Sequence, residues 1–323
     1  MNKNYWTKRN VLITGYEGFL GSNLAKVLMD CANVIGLDIL VRRKNTLFEK
    51  EDYNKITVIK GDVADFKLIK NVLKKYKIDT VFHLAAEAIV GRSLENPLNT
   101  FQSNVEGTWN VLEASRELGT VRSVIIASSD KAYGSHKELP YKESAPLKGE
   151  HPYDVSKSCA DLIAHTYFKT YGLPVVITRC GNIYGPGDFN FSRIVPDAVR
   201  CLCLGKTLLI RSDGKFVRDY IYVGDIVDGY ILLAENMQKM KIWGEAFNFS
   251  NENPMSVTEL LERINIISSQ KLRYKILNQA EYEIKEQYLC SRKAREIFGW
   301  KPSYDLAKGL AITIDWYKDY FLK

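Results

Sequence analysis

The most restrictive feature lies near the start of the chain, where the apolar run Asn10-Val11-Leu12-Ile13 ends in Thr14-Gly15-Tyr16-Glu17-Gly18-Phe19-Leu20-Gly21. A helical pattern follows from Phe19 to Leu28. A strand that closes on glycines at every third position and opens into a helix is the first step of a parallel sheet covered by helices. Glycine permits the tight turn, lets backbone N–H groups approach a pyrophosphate, and allows the helix to pack closely on the strand. Gly15, Gly18, Phe19, Leu20 and Gly21 are therefore the expected cradle of a dinucleotide.

The second strand, Val34-Ile35-Gly36-Leu37-Asp38, ends on an acid at the distance where a ribose hydroxyl is bound in such folds. A carboxylate there repels a 2′-phosphate, so Asp38 favours NAD over NADP. Arg42 and Arg43 follow closely and have two readings, a solvated loop or a phosphate contact. Asp62, in Gly61-Asp62-Val63, has two as well: a partner for the adenine amino group, or the N-cap of a helix starting at Phe66.

Short β-branched runs and longer helical patterns continue to alternate. Strands are expected at Ile56–Ile59, Thr80–His83, Ser123–Ala127 and Pro174–Thr178, and helices at Phe66–Tyr76, from about Pro97 to Leu118, and at Tyr153–Tyr171. Six such steps are the content of a doubly wound α/β fold, a Rossmann domain. The alternation weakens after Arg179, which places a dinucleotide domain at about 1–180 and a smaller, mainly substrate-binding part at 181–323. Segments near 218–249 are expected to return to the sheet. The 323 residues are 46% apolar and 26% charged, the balance of a chain that folds throughout.

Lys and Arg number 45 against 38 Asp and Glu, a net charge of +7 with no basic block, so an anionic small substrate is favoured over nucleic acid. Six cysteines without a C-x-x-C pair suit a reducing cytoplasm. The polar opening residues are not expected to act as a signal peptide, and no apolar run is long enough for a membrane span. Four histidines without ligand spacing argue against a metal. His83 is expected to be a packed residue at a strand end, and the aromatic-rich C-terminus to be core.

The chemistry is carried by Tyr153-Asp154-Val155-Ser156-Lys157, which sets a phenol and an ammonium one helical turn apart. A cation beside a tyrosine favours the phenolate, which can remove a hydroxyl proton while hydride leaves the same carbon. Ser128-Ser129, closing the fifth strand, offers a hydroxyl to the same place.

These stretches, together with His83-Leu84-Ala85-Ala86, Asn104-Val105-Glu106-Gly107-Thr108 and Arg179 through Asp188, resemble the extended short-chain dehydrogenase/reductases of the nucleotide-sugar epimerase and dehydratase type. The likeness covers nearly the whole chain. It implies a triad of Ser129, Tyr153 and Lys157. It places Leu84, Ala85, Ala86, Asn104, Asp62 and Val63 beside NAD with the glycine turn, Asp38, Tyr153 and Lys157. It puts Asn182, Arg193 and Arg218 on the nucleotide diphosphate, with Glu87 and Arg92 bordering the sugar. Within the family, Ser129-Asp130-Lys131 is most similar to the CDP-glucose 4,6-dehydratases. Removing water across C5 and C6 needs a base and an acid that a 4-epimerase does not need, and Lys131 and Asp130 are expected to supply them. A 4-epimerase and a redox-silent NAD-binding protein are the alternatives. A homodimer or dimer of dimers, paired through the helices beginning near Pro97 and Tyr153, is the expected assembly.

Overall fold

The computed structural model of the protein describes residues 1–280 and 284–322. They form two compact units. The first comprises Met1–Gly134, Glu143–Arg179 and Val227–Phe247, and the second Ser135–Lys142, Cys180–Ile226 and Asn248–Lys323.

The first unit is built on strands β1 (Asn10–Thr14), β2 (Asn33–Asp38), β3 (Ile56–Lys60), β4 (Thr80–His83), β5 (Ser123–Ala127), β6 (Val175–Cys180) and β7 (Ala246–Phe249). They lie in the order β7-β6-β5-β4-β1-β2-β3. Strands β1 to β6 pair in parallel, with Leu12 opposite Ile35 on one side and Val81 on the other. Strand order reverses direction between β1 and β4, so the crevice at their carboxyl ends is where this architecture binds ligands. The glycine turn leaves β1 at that point.

Four helices frame the site: α1 (Phe19–Leu28), α2 (Phe66–Lys75), α3 (Gly107–Leu118) and α4 (Pro152–Tyr171). Strands covered on both faces are apolar along their length, since neither side meets water. Leu12, Val81, Val124 and Ile177 join Val72, Val111 and Ala164 of the helices in one core. Phe82 lies on the alternate face and meets the rings of Trp6 and Tyr230 with centroids 6.2 and 6.4 Å away.

Two local expectations are corrected. The helix expected from Pro97 to Leu118 is interrupted: Pro97–Phe101 is followed by a π-helical turn at Gln102–Glu106 before α3 begins. The extra residue in such a turn redirects side chains, and here it turns Asn104 inward, where it is buried. Helix α2 is capped not by Asp62 but by Asp65, whose side chain accepts from the Leu68 N–H at 3.0 Å.

Within residues 218–249, Ala246–Phe249 enters the large sheet as β7. Val217–Arg218 instead pairs with Met255–Ser256 and Glu286–Gln287, and Tyr220–Tyr222 pairs with Asn182–Tyr184. The second unit also holds helices Ile194–Cys203, Val257–Ser268 and Leu306–Leu322. Its aromatic residues supply much of its interior, Trp300 and Tyr317 being fully buried. No described helix is long and apolar enough to cross a membrane.

Candidate active site

The glycine turn is shaped by close approach. Gly15 has φ +70°, and a Cβ there would sit 2.8 Å from the backbone nitrogen of Ala85. A Cβ on Gly21 would lie 2.2 Å from the Gly15 carbonyl oxygen. Both contacts forbid a side chain, so the turn presses against the exit of β4 and α1 starts directly over it. Gly18 is the N-cap of α1 and offers no side chain to its first N–H groups. Phe19 and Leu20 form the first turn of that helix. The N–H groups of Leu84 and Ala85 both donate to Thr14 Oγ1 at 3.2 Å, fixing Leu84-Ala85-Ala86 beside the glycines.

Asp38 closes β2 and is buried. Its carboxylate accepts from the Glu17 N–H at 3.2 Å and the Leu40 N–H at 3.1 Å, and pairs with the Arg43 guanidinium at 3.3 Å. Burial pushes its pKa up against these three favourable contacts. Arg43 is thus held on the acid, while the Arg42 guanidinium lies 5.5 Å from the Tyr53 ring centroid. Glu17, a residue the sequence reading passed over, is buried inside the turn. It accepts hydrogen bonds from Tyr16, Tyr53, Thr46 and the backbone of Arg42 at 2.6 to 3.3 Å, binding the segment after β2 to the glycine turn. An acid flanked by tyrosine in a glycine-rich turn was the available signal. Asp62 accepts from the Ala64 N–H at 2.9 Å, and Val63 is buried where a Cβ on Gly107 would meet its Cγ2 at 2.5 Å.

The reactive groups lie where β5 ends and α4 begins. Ser129 caps the 3₁₀ turn Asp130–Tyr133: its Oγ accepts from the Lys131 N–H at 3.2 Å and donates to Asp130 Oδ1 at 3.1 Å. Ser129 and Asp130 are buried, and Lys131 is partly exposed. Proline at Pro152, in the first turn of α4, needs no N–H partner and starts the helix that carries Tyr153 and, one turn on, Lys157. Lys157 is buried, and its Nζ donates to the Ala127 carbonyl oxygen at 2.7 Å. The charge of Lys157 adds to complete burial in pushing the His83 pKa down to about 3, which leaves that imidazole neutral. His83 Nδ1 is 2.9 Å from Thr14 Oγ1 and Nε2 is 3.2 Å from Thr108 Oγ1, so both ring nitrogens are engaged in packing.

Asn104 braces the same helix. Its Oδ1 accepts from the Glu87 N–H at 2.7 Å, and its Nδ2 donates to the Glu87 carbonyl at 3.1 Å and to Ser156 Oγ at 2.9 Å. Glu87 Oε1 accepts from the Ile89 N–H at 2.9 Å, and Arg92 is exposed on the short helix Val90–Glu95.

In the second unit, Arg193 begins the helix Ile194–Cys203 and pairs with buried Asp188 at 3.0 Å. Asn182 donates from Nδ2 to the Asp219 carbonyl at 3.4 Å. Arg218 is buried and donates to the carbonyl oxygens of Val217 and Lys285 at 2.8 and 3.1 Å and to that of Ile284. Among the described residues, no cluster of His, Cys, Asp and Glu could hold a metal ion.

The chain is similar to known proteins over nearly its whole length. The CDP-glucose 4,6-dehydratase of Salmonella typhimurium is 28% identical, the alignment covering 98% of this chain and 93% of that one. The structure of a dTDP-glucose 4,6-dehydratase from Bacillus anthracis in complex with NAD matches with a TM-score of 0.85 and 28% identity, covering 96% of this chain and 97% of that one. A UDP-N-acetylglucosamine 4-epimerase from Methanobrevibacter ruminantium, in complex with UDP-N-acetylmuramic acid, matches with a TM-score of 0.89 and 28% identity over 98% of this chain and all of the other. Residues 12–313 match the GDP-mannose 4,6 dehydratase family, and with the glycine turn, the acid closing β2 and the Tyr153–Lys157 helix in place, the chain belongs to that family.

Proposed function

We propose that the protein is an NAD-dependent nucleotide-diphosphate-sugar 4,6-dehydratase acting on a CDP-glucose-like substrate. The observation that carries this reading is the pair Asp130-Lys131 on the capped turn beyond β5, on the same unit as Tyr153 and Lys157. An epimerase has no use for that second acid–base pair.

Two features support a cradle for NAD: a Cβ on Gly15 or Gly21 would fill the space the backbone uses, and Asp38, buried at the end of β2, suits a ribose hydroxyl. Gly18, Phe19, Leu20, Val63, Leu84, Ala85 and Ala86 line the same end of the sheet, and Asn104 serves by bracing α4. When bound, NAD supplies the chemistry of taking hydride from C4 and giving it back at C6.

The chain's own residues move the protons. Tyr153, as phenolate, takes the proton of the C4 hydroxyl while Ser129 orients that oxygen, and the Lys157 charge favours the phenolate. The resulting ketone acidifies the C5–H bond. Lys131 as free amine takes the C5 proton, and Asp130 as free acid gives its proton to the C6 oxygen, so that C5 and C6 become a double bond and water leaves. Lys131 returns its proton to C5 as C6 is reduced. Glu87 and Arg92 border the sugar. Asn182, Arg193 and Arg218 bind the diphosphate, whose oxygens match an arginine fork.

Exposed Leu98, Leu162 and Trp109 on the helices of the first unit support a homodimer paired through that face. Six free cysteines support a reducing cytoplasm.

The test is mass spectrometry of products after incubation with NAD and a panel of CDP-, UDP-, GDP- and dTDP-sugars. Loss of one water from the CDP-sugar is the expected result. Unchanged mass with inverted C4 stereochemistry by NMR makes the protein an epimerase.

A further inference from the structure

A ribose hydroxyl both donates and accepts, whereas a carboxylate only accepts, so Asp38 by itself satisfies half of what a ribose diol needs. The donor beside it is Arg43, whose Nη2 lies 3.3 Å from Asp38 Oδ1. A guanidinium is a fork of several N–H groups, and this contact uses one end of it. Arg43 Nε is enclosed, and no described residue accepts from it. An enclosed N–H without an acceptor is costly, so the guanidinium is kept beside the acid by more than its own hydrogen bonds.

The backbone just before Arg43 supplies that hold. Arg42 has φ +54°, the left-handed region that a residue with a Cβ enters at a cost. Its N–H donates to Glu17 Oε1 at 2.6 Å, and Tyr53 Oη and Thr46 Oγ1 donate to the same carboxylate at 2.9 and 3.3 Å. Glu17 is 4% exposed, and its own N–H donates to Asp38 Oδ2 at 3.2 Å. One buried residue of the glycine turn therefore fixes both members of the pair: Asp38 through its backbone, and Arg43 through the turn it secures at Arg42. The Arg42 side chain points elsewhere, with its guanidinium 5.5 Å from the Tyr53 ring centroid. A strained residue of this kind persists only where its surroundings over-determine it, and such residues cluster at ligand sites.

We propose that Arg43 is a cofactor-binding residue, its guanidinium donating to the adenosine ribose hydroxyl whose proton Asp38 accepts, and that Glu17 is the positioning residue that holds Arg43 there. The inference rests on the NAD-binding part of the reading above. The charges fit a neutral diol: Asp38 and Arg43 offset one another, so the ribose meets a paired acceptor and donor rather than a lone buried charge. With Tyr16, Arg42, Thr46 and Tyr53 all donating to it, the Glu17 carboxylate is occupied and acts through Arg43 rather than on the cofactor.

The probe is ADP-ribose, which carries the adenosine ribose and no nicotinamide, titrated by calorimetry into wild type and Arg43→Met. The variant should bind it roughly tenfold more weakly or worse, the weight of a hydrogen bond from a charged group. The 2′-deoxy and 3′-deoxy analogues locate the contact, because wild type and variant should bind alike the one that lacks the hydroxyl concerned. Equal affinities for ADP-ribose, or a loss that persists with both analogues, overturns the role of Arg43. Glu17→Ala should weaken ADP-ribose binding in the wild-type background and leave it unchanged in the Arg43→Met background. Arg42→Pro, which removes the N–H that Glu17 accepts and cannot take a positive φ, should behave in the same way and keeps the test open if Glu17→Ala does not fold. Equal losses in the two backgrounds overturn the role of Glu17. A wild type that shows the expected binding pattern but dehydrates no sugar refutes the dehydratase reading and leaves Arg43 in place. A wild type that binds neither NAD nor ADP-ribose overturns both.

Discussion

The Nζ of Lys157 donates a 2.7 Å hydrogen bond to the carbonyl oxygen of Ala127, joining α4 to the last residue of β5. The bond aims a buried cation, on the helix that carries Tyr153, at the strand end from which Ser129 and Asp130 follow. Replacing Tyr153 by Phe removes the group proposed to take the C4 proton and should lower turnover by roughly 10²–10⁴-fold, the usual weight of one acid–base group. Lys157→Met should fall in the same range. The pair should combine far less than additively, because both act on one proton; steady-state rates of the single and double variants check this.

Lys131→Ala separates the two halves of the reaction. In the proposed mechanism oxidation at C4 does not use Lys131, so the variant should turn bound NAD into its reduced form on mixing with substrate, seen as a rise in near-ultraviolet absorbance. Water should not be lost. Dehydration at a near-normal rate in this variant would assign the base elsewhere.

On the proposed reading, Asp38 and Arg43 set cofactor choice together. With Asp38→Ala the repulsion of a 2′-phosphate disappears and the Arg43 guanidinium, 3.3 Å from the lost carboxylate, is released to pair with it. Titration calorimetry should show NAD binding weakened and NADP binding strengthened.

His83 makes stability depend on pH. Its folded pKa is pushed from 6.5 down to about 3 by burial and by Lys157, so below 6.5 the unfolded chain binds a proton that the folded chain refuses. Stability should therefore fall as pH drops from 6.5 toward 3, by up to about 1.4 kcal/mol per pH unit. Urea midpoints measured across that range should decline more steeply in wild type than in His83→Gln.

Arg179 and Asp161 form a buried two-pronged ion pair, with Nε and Nη2 each 2.8 Å from a carboxylate oxygen. Arg179 also donates to Tyr133 Oη at 2.8 Å and so supports the turn that holds Asp130 and Lys131. Removing one charge leaves the other buried alone. Asp161→Asn should cost about 3–5 kcal/mol in denaturant unfolding, with activity lost only as the protein unfolds.

Much of the first unit was legible from local pattern. Glycines at Gly15, Gly18 and Gly21, the acid at Asp38, and apolar runs of strand length are properties of neighbouring residues, and neighbouring residues determine turns, strands and the start of helices. The spacing of Tyr153 and Lys157 is likewise a fact of one helical turn. What sequence pattern missed depends on residues far apart in the chain. The π turn at Gln102–Glu106 arises within a continuous helical signal, and its effect appears only where Asn104 meets Glu87 and Ser156. Glu17 becomes a hub only because Tyr53 and Thr46 fold back over the glycine turn. The cap of α2 moved from Asp62 to Asp65 because both are cap-forming types and only the backbone course chooses between them. By itself, then, the sequence determined the α/β architecture and the residue types brought to the site, because periodicity and spacing are local. The tertiary structure alone decided which polar groups are buried together, since burial, and with it the neutral state of His83, depends on what the rest of the chain packs against them.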